Sequence, residues 1–153
     1  EPVKRVQKKL NKFSNELKAI VLSSSARTAQ QAAESLNTEV GSIVKSLLFK
    51  TEDSFVLCLI SGDKRCSLNK LKKIKNQKDI SMANADEVKK VTGFTIGGVS
   101  PIAHLQQIEI FIDEKLNRFN NIYAAAGHPN CIFKIDFDNL KKITKGSVKN
   151  ITE

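Results

Sequence analysis

Two mostly apolar runs separated by a short polar segment impose the strongest constraint on how this 153-residue chain can fold. The runs extend from Ile43 to Phe49 and from Phe55 to Ile60, and Thr51-Glu52-Asp53-Ser54 lies between them. Strand-length apolar runs joined by a few polar residues predict a β-hairpin. Any fold proposed for the chain must therefore build a sheet around this hairpin.

Helical periodicity and capping signals occur on both sides of the hairpin. Val3, Val6, Leu10, Phe13 and Leu17 recur at helical spacing with lysines between them, which predicts an amphipathic helix of about four turns. Capping residues predict further helices at 29–36, 68–76, 84–93 and 138–143. Further strands are predicted at 20–22, 108–112, 122–126 and 131–135.

Strands and helices are interspersed without regular βαβ alternation. We therefore expect an α+β fold, with a mixed, largely antiparallel twisted sheet and peripheral helices. No internal repeat or linker is evident, so residues 1–153 are expected to form a single domain.

The net charge and the cysteines indicate which kind of partner and which compartment to expect for this protein. A formal net charge of +9 favours a polyanionic partner such as nucleic acid, although a basic protein without such a partner is the alternative. No secretory signal and no membrane-spanning apolar run are found, and Glu1 in place of Met leaves an upstream extension open. Three widely spaced cysteines predict reduced thiols. We therefore expect a cytoplasmic protein with no membrane association.

The motifs of common hydrolases and nucleotide-binding proteins are missing. The sequence has no G-x-S-x-G, no H-E-x-x-H, no P-loop and no Cys/His metal spacing, so neither a metal nor a cofactor is expected. A catalytic triad would have to use His104 or His128. We interpret His104 as structural or exposed, and His128 as a solvated turn residue rather than a base. Cys131, near His128, is interpreted as an ordinary half-buried cysteine.

Three segments stand out together. Lys45 interrupts an apolar strand, which is costly unless its ammonium is solvated or paired, and a snorkelling edge-strand lysine is the alternative interpretation. The loop from Gly97 to Pro101 contains adjacent glycines whose N–H groups could approach a ligand closely. The third segment is the turn Ala126-Gly127-His128-Pro129.

In this order and spacing the chain resembles the YbaK/ProX aminoacyl-tRNA deacylases, a family related to the editing domain of bacterial prolyl-tRNA synthetases. The resemblance runs from about Thr28 to about Ile151, through the helix at 28–33, the lysine strand, the stretch 57–63 and the glycine loop. It implies the editing-domain fold and a pocket between the lysine strand and the G-x-x-x-P loop. Lys45 matches the family's lysine, and Gly97 and Pro101 match its loop.

The resemblance also implies hydrolysis of the ester that joins a wrong amino acid to tRNA, most simply tRNA(Pro) carrying cysteine or alanine. Lys45, Gly97 and Gly98 are the expected catalytic residues, with Lys45 anchoring the terminal adenosine and the glycine N–H groups stabilising the oxyanion. Ser46 stands where the alanine-specific branch usually has Asn, which leaves the accepted amino acid open. The expected substrate-binding residues are Ile43, Ser46, Val99, Ser100, Pro101, Ile102, Gly127 and His128.

A run of cations follows the hairpin and could contact tRNA phosphates. A solvated helix face is the alternative interpretation. The run consists of Lys64, Arg65, Lys70, Lys72, Lys73, Lys75 and Lys78. The expected partners are aminoacyl-tRNA and a synthetase such as prolyl-tRNA synthetase. Two rival functions stay open: a non-catalytic module that binds tRNA or a synthetase, and a hydrolase of a different ester.

Overall fold

The computed structural model describes residues 1–23 and 26–153. Within them, five α-helices are found: α1 (Pro2–Phe13), α2 (Ala29–Leu36), α3 (Leu68–Lys75), α4 (Ala85–Thr92) and α5 (Phe137–Thr144). The strands of the same residues are β1 (Ile20–Val21), β2 (Val44–Lys50), β3 (Phe55–Ser61), β4 (Ser81–Met82), β5 (Glu109–Asp113), β6 (Ile122–His128), β7 (Cys131–Ile135) and β8 (Ser147–Lys149). Short 3-10 helices lie at Val40–Ser42 and Glu114–Arg118.

The strands form two sheets. The predicted hairpin of β2 and β3 is the centre of a five-stranded sheet with the order β4-β2-β3-β5-β8, and the other sheet has the order β1-β7-β6. The β3–β5 and β5–β8 pairings are parallel, and the other four are antiparallel. The mixed, largely antiparallel α+β fold is thus confirmed, whereas the division into two sheets was not predicted. The unpredicted strands β4 and β8 have only two and three residues, too few for a periodic pattern.

The helix boundaries follow the capping residues. Thr28 and Asn84 each form a capping box, and Asn37 ends α2 in the left-handed conformation. The first helix ends at Phe13, earlier than predicted, because Ser14 is extended and its hydroxyl accepts the Glu16 N–H instead. Its last predicted member, Leu17, still packs against the core.

Side chains along β2 alternate between two hydrophobic clusters. Val44 and Leu48 belong to the cluster shared with α1, α4, β6 and β7, whereas Phe49 belongs to the cluster beneath α3. Because successive strand residues point to opposite faces, Lys45 and Ser46 must also lie on opposite faces of the sheet. No helix of the described residues is long and apolar enough to cross a membrane.

Candidate active site

The two sheets meet at one point and then diverge. Ile43, just before β2, forms an isolated parallel bridge with Tyr123 of β6. Beyond this bridge a cavity of about 370 Å³ opens between β2 and the β6–β7 hairpin. Its wall is mostly apolar. The lining residues are Ala26, Arg27, Thr28, Ala29, Ala32, Ile43, Val44, Lys45, Ser46, Leu47, Leu48, Met82, Ala83, Val88, Ile96, Gly97, Val99, Tyr123, Ala125, Pro129 and Ile132.

An unpaired strand edge faces this cavity. The short strand β4 pairs only with Phe49 and Lys50, and the Ala83 N–H donates to the Leu48 carbonyl at 3.0 Å. Backbone groups of alternate residues point to the same edge of a strand, so the amide of Ser46 lies on this edge as well. No strand of the described residues pairs with Ser46 there. The cavity therefore has backbone polar groups as well as side chains along one wall.

Lys45 reaches from the cavity wall to the loop that follows β3. Its Nζ donates to the Lys64 carbonyl at 2.6 Å, so the ammonium is paired, as the apolar surroundings of this lysine require. Burial lowers the pKa of Lys45 below its ordinary value, the Asp63 carboxylate opposes that effect, and Arg65 adds to it. The side chain is half-buried. An ammonium has three donors, so further contacts remain open to it.

The loop that holds Lys45 is itself braced. Arg118 Nη2 donates to Asp63 Oδ1 at 2.9 Å and to Ser61 Oγ at 2.8 Å. The hydrogen bond from Arg118 is the main reason why the pKa of Asp63 lies below its ordinary value, with a further contribution from Ser61. The pairing fixes an anion near the Lys45 ammonium and restrains the turn that carries the Lys64 carbonyl.

The glycine loop presents only some of its predicted residues to the cavity. Gly97, with φ of +92°, and Val99 line it. Gly98 does not line it, and its N–H donates to the Thr95 carbonyl at 2.9 Å. The expectation that the Gly98 N–H stabilises an oxyanion therefore needs correction, because this donor closes a turn. A Cβ on Gly98 would lie 2.9 Å from the His128 Cα, so this glycine allows close packing of loop and turn.

The second half of the loop turns away from the cavity. Ser100 is fully buried, and its hydroxyl accepts the Ile102 N–H. Pro101 and Ile102 line a different cavity of about 670 Å³, together with residues of α1, α5 and β8. None of these three residues lines the cavity at β2. Their predicted substrate contacts are corrected accordingly, because the chain changes direction after Val99.

The turn that follows β6 contributes a residue that was not among the predicted substrate-binding residues. Gly127 has φ of +98° and packs against the Pro2 backbone and the Phe94 ring. His128 is exposed, and its Nδ1 accepts the Asn130 N–H at 3.0 Å. Neither residue lines the cavity, whereas Pro129 does. The turn therefore contributes to the cavity wall through Pro129 and not through the two predicted residues.

Other lining residues also escaped the sequence analysis. Arg27 is an exposed cation at the cavity, and Thr28 was identified only as a helix cap. Tyr123 and Ala125 alternate with buried alanines along β6, which puts them on the cavity face. The spacing in β6 could have indicated a shared face, but only the tertiary structure shows that β2 lies opposite.

The basic run divides into engaged and unengaged cations. Lys70 donates to the Thr152 carbonyl and to Asn150, and Lys75 pairs with Glu109 at 2.5 Å. Within the described part of the chain, no ion pair is found for the side chains of Arg65, Lys72, Lys73 or Lys78, nor for that of Lys64. Residues 1–23 and 26–153 contain no group of three or more His, Cys, Asp or Glu arranged to hold a metal ion.

The fold and the cavity define an α+β domain with a small apolar pocket at the junction of two sheets. The sequence profile of the aminoacyl-tRNA editing domain matches residues 23–143. The chain therefore belongs to the aminoacyl-tRNA editing domain family.

Known relatives include both longer enzymes and proteins of similar length. The proline–tRNA ligase of Caldicellulosiruptor saccharolyticus is 25% identical over 134 residues, which cover 87% of this chain and 23% of the ligase. The uncharacterised protein YwhH of Bacillus subtilis is 28% identical, with 95% of this chain and 93% of YwhH covered. The chain thus spans about a quarter of the length of such ligases.

The fold also matches a crystal structure described as a proposed trans-editing enzyme for prolyl-tRNA synthetase. The TM-score is 0.94 at 35% identity, with 99% of this chain and 97% of the other covered. The match extends over elements that the family profile leaves out at both ends, including α1 and β8.

Proposed function

We propose that this chain is a trans-editing hydrolase that cleaves the ester between a small non-cognate amino acid and the terminal adenosine of tRNA(Pro). One observation carries the proposal: a single cavity is lined both by Lys45 and Ser46 of β2 and by Gly97 and Val99 of the glycine loop. Membership of the editing-domain family and the prolyl-tRNA relatives support it. Residues 1–153 would act as one editing domain.

The proposed reaction needs no protein nucleophile. Water attacks the ester carbonyl, the bond from that carbon to the ribose oxygen breaks, and the ribose hydroxyl recovers a proton as the amino acid leaves. The N–H groups of Gly97 and Val99 have no hydrogen-bond partner among the described residues, so they replace Gly98 as proposed donors to the oxyanion. One such donor typically contributes about 2.7–4 kcal/mol to the barrier.

Lys45 is proposed to anchor the terminal adenosine through a ribose oxygen or a phosphate. Its hydrogen bond to Lys64 directs the ammonium, and the half-buried position limits competition from solvent. Ile43 supplies part of the apolar wall that limits the size of the amino acid. One methylene is worth only about 1–3 kcal/mol in a synthetase pocket, so a second pocket of different shape improves fidelity.

Recruitment of tRNA is proposed to use the cations that the protein does not already engage, with Lys72 and Lys73 on α3 as the leading pair. A synthetase such as prolyl-tRNA synthetase is the proposed protein partner, because so many relatives carry this domain inside that enzyme. The cytoplasm is the compartment that this proposal implies.

Deacylation of purified mischarged tRNA tests the proposal. tRNA(Pro) acylated with alanine, cysteine, serine or threonine is incubated with the wild type, with Lys45→Ala and with Lys145→Ala. Lys145 is the matched control, because it lines the cavity of about 670 Å³ instead. A lost charge-assisted hydrogen bond is worth about 1.5–3 kcal/mol, so we expect kcat/KM to fall roughly 10- to 150-fold in Lys45→Ala.

The control variant and the thermal midpoint decide how a loss of deacylation activity is interpreted. Lys145→Ala should retain wild-type activity, and Lys45→Ala should melt close to the wild type, because removing a half-buried charge leaves no unpaired one behind. Unchanged deacylation by Lys45→Ala would contradict the proposed role of this lysine. Salt-sensitive tRNA binding without hydrolysis of any ester would favour the binding module.

A further inference from the structure

One buried hydroxyl lacks a hydrogen-bond partner in the described part of the protein. Among residues 1–23 and 26–153, Ser46 Oγ is the only buried side-chain nitrogen or oxygen without a hydrogen bond. Buried polar atoms are nearly always paired, because leaving one unpaired costs stability. Ser46 lies on the wall of the cavity at β2, so the exception falls at the proposed site and not in the general core.

The surroundings of this hydroxyl are apolar. Val44 and Leu48 flank Ser46 on the same face of β2, and both belong to the hydrophobic core. Val88 and Val99 line the same cavity and belong to the same hydrophobic cluster. An alanine or a valine would suit such a wall better than a serine. An unpaired serine at this position has a physical explanation if a ligand supplies its hydrogen-bond partner.

We infer that the Ser46 hydroxyl selects aminoacyl esters whose short side chain carries a hydroxyl, serine or threonine, over alanine. The inference rests on the proposed function and concerns only which amino acid the pocket accepts. A hydroxyl is both donor and acceptor, so two hydroxyls can pair in either direction. A thiol is a weaker donor and acceptor, which puts cysteine between serine and alanine. The Ser46 hydroxyl can turn towards a ligand by rotation about χ1, without movement of the backbone.

The inference predicts a specific trade-off between stability and selectivity. Replacing Ser46 by alanine removes an unpaired buried hydroxyl, so the variant should be more stable than the wild type, with Tm raised by about 2–4 °C. The same change removes the partner of the substrate hydroxyl. A residue with a merely structural role would instead lower Tm when it is replaced.

Competition between esters on one tRNA measures the selectivity. The same tRNA(Pro) is acylated with serine, threonine, cysteine or alanine, and kcat/KM is determined for the wild type, Ser46→Ala and Ser46→Thr. We expect the wild type to favour the serine ester over the alanine ester about tenfold, which is the value of one good hydrogen bond. Ser46→Ala should hydrolyse both at the wild-type rate for alanine. Ser46→Thr keeps the hydroxyl and should keep the preference.

A second serine provides the control. Ser81 of β4 is exposed, pairs with Lys50 and does not line the cavity, so Ser81→Ala should keep the wild-type preference. Equal hydrolysis of the serine and alanine esters by the wild type would overturn the inference and leave the proposed function standing. An equal loss for both esters in Ser46→Ala would also overturn it, because Ser46 would then contact a part common to both. Hydrolysis of no ester by the wild type would instead refute the proposed function.

Discussion

Two cavities of the described residues adjoin the glycine loop, and the smaller one holds the candidate active site. The cavity at β2 has a volume of about 370 Å³, and the cavity between α1, α5 and β8 has about 670 Å³. One loop serves both, because Gly97 and Val99 line the smaller cavity whereas Pro101 and Ile102 line the larger. Volume therefore does not decide which cavity is suited to chemistry.

The difference lies in what the walls offer. The smaller cavity combines an unpaired strand edge, a half-buried lysine and an unpaired buried hydroxyl within an apolar wall. The larger one is lined by exposed residues such as Lys9, Gln106 and Gln107 at the periphery of the fold. Electrostatic groups act most strongly where water is excluded, so the smaller and more apolar cavity is better suited to catalysis.

A substitution that fills the smaller cavity should have the largest effect on deacylation and so test the difference between the two cavities most directly. Ala125 of β6 lines it, and Ala125→Leu adds three carbon atoms there. One methylene in a hydrophobic substrate pocket is worth about 1–3 kcal/mol, so we expect kcat/KM for deacylation to fall roughly 5- to 160-fold. Ser147→Leu adds similar bulk to the wall of the larger cavity and should leave kcat/KM unchanged. A comparable loss in both variants would contradict the assignment of the site.

Neutralising the cations of α3 that are proposed to contact tRNA should have an intermediate effect. Lys72→Gln combined with Lys73→Gln removes two cations of α3 that form no ion pair in the described structure. We expect a threefold to tenfold lower affinity for tRNA and a salt slope reduced by about 1.4–1.8, from ~0.7–0.9 per phosphate contact. Lys9→Gln with Lys145→Gln, at the larger cavity, serves as the control for tRNA titrations at several salt concentrations. Equal slopes for the two double variants would place tRNA elsewhere.

The smallest effect is expected at the larger cavity and concerns stability. Burial lowers the pKa of His104 below its ordinary value, with the Ser100 carbonyl opposing that effect and Arg5 adding to it. The unfolded chain therefore binds a proton as pH falls below about 6.5, while the folded chain resists it until a lower pH. Stability should decrease over that window, by a few degrees in Tm.

His104→Gln should flatten this dependence of Tm on pH without changing deacylation at neutral pH. Thermal melts between pH 7.5 and 5 for the wild type and the variant provide the measurement. A parallel decline in both proteins would show that other groups are responsible. A loss of activity at neutral pH would show that the larger cavity takes part in catalysis, which would contradict the assignment of the site to the smaller cavity.

Much of the local structure could be predicted because its causes are local. The capping boxes at Thr28 and Asn84 and the hairpin of β2 and β3 depend on neighbouring residues, so the sequence predicts them well. The early end of α1 was missed, although Ser14 is a residue whose hydroxyl competes with the helix. The two short strands that the sequence did not predict, β4 and β8, are formed by pairing partners and not by their own composition.

The candidate site was likewise predicted only in part. Lys45, Ser46, Gly97 and the predicted apolar wall residues Ile43 and Val99 do line one cavity, and the order of motifs in the sequence was enough to expect them together. Gly98, Ser100, Pro101 and Ile102 belong to the same motif yet do not line it. A motif specifies the residue types of a loop, but the direction of each N–H and side chain depends on φ and ψ and on the packing of the turn at His128.

The sequence by itself determined most of the helices and strands, the α+β class and the family, because periodicity, capping and motif order are properties of residues close together in the chain. Only the tertiary structure decided where the two sheets part, which half of the glycine loop faces the gap, and that the Ser46 hydroxyl is left unpaired on its wall. These features depend on contacts between β2 and β6, about 80 residues apart, and such contacts are fixed by the packing of the whole molecule.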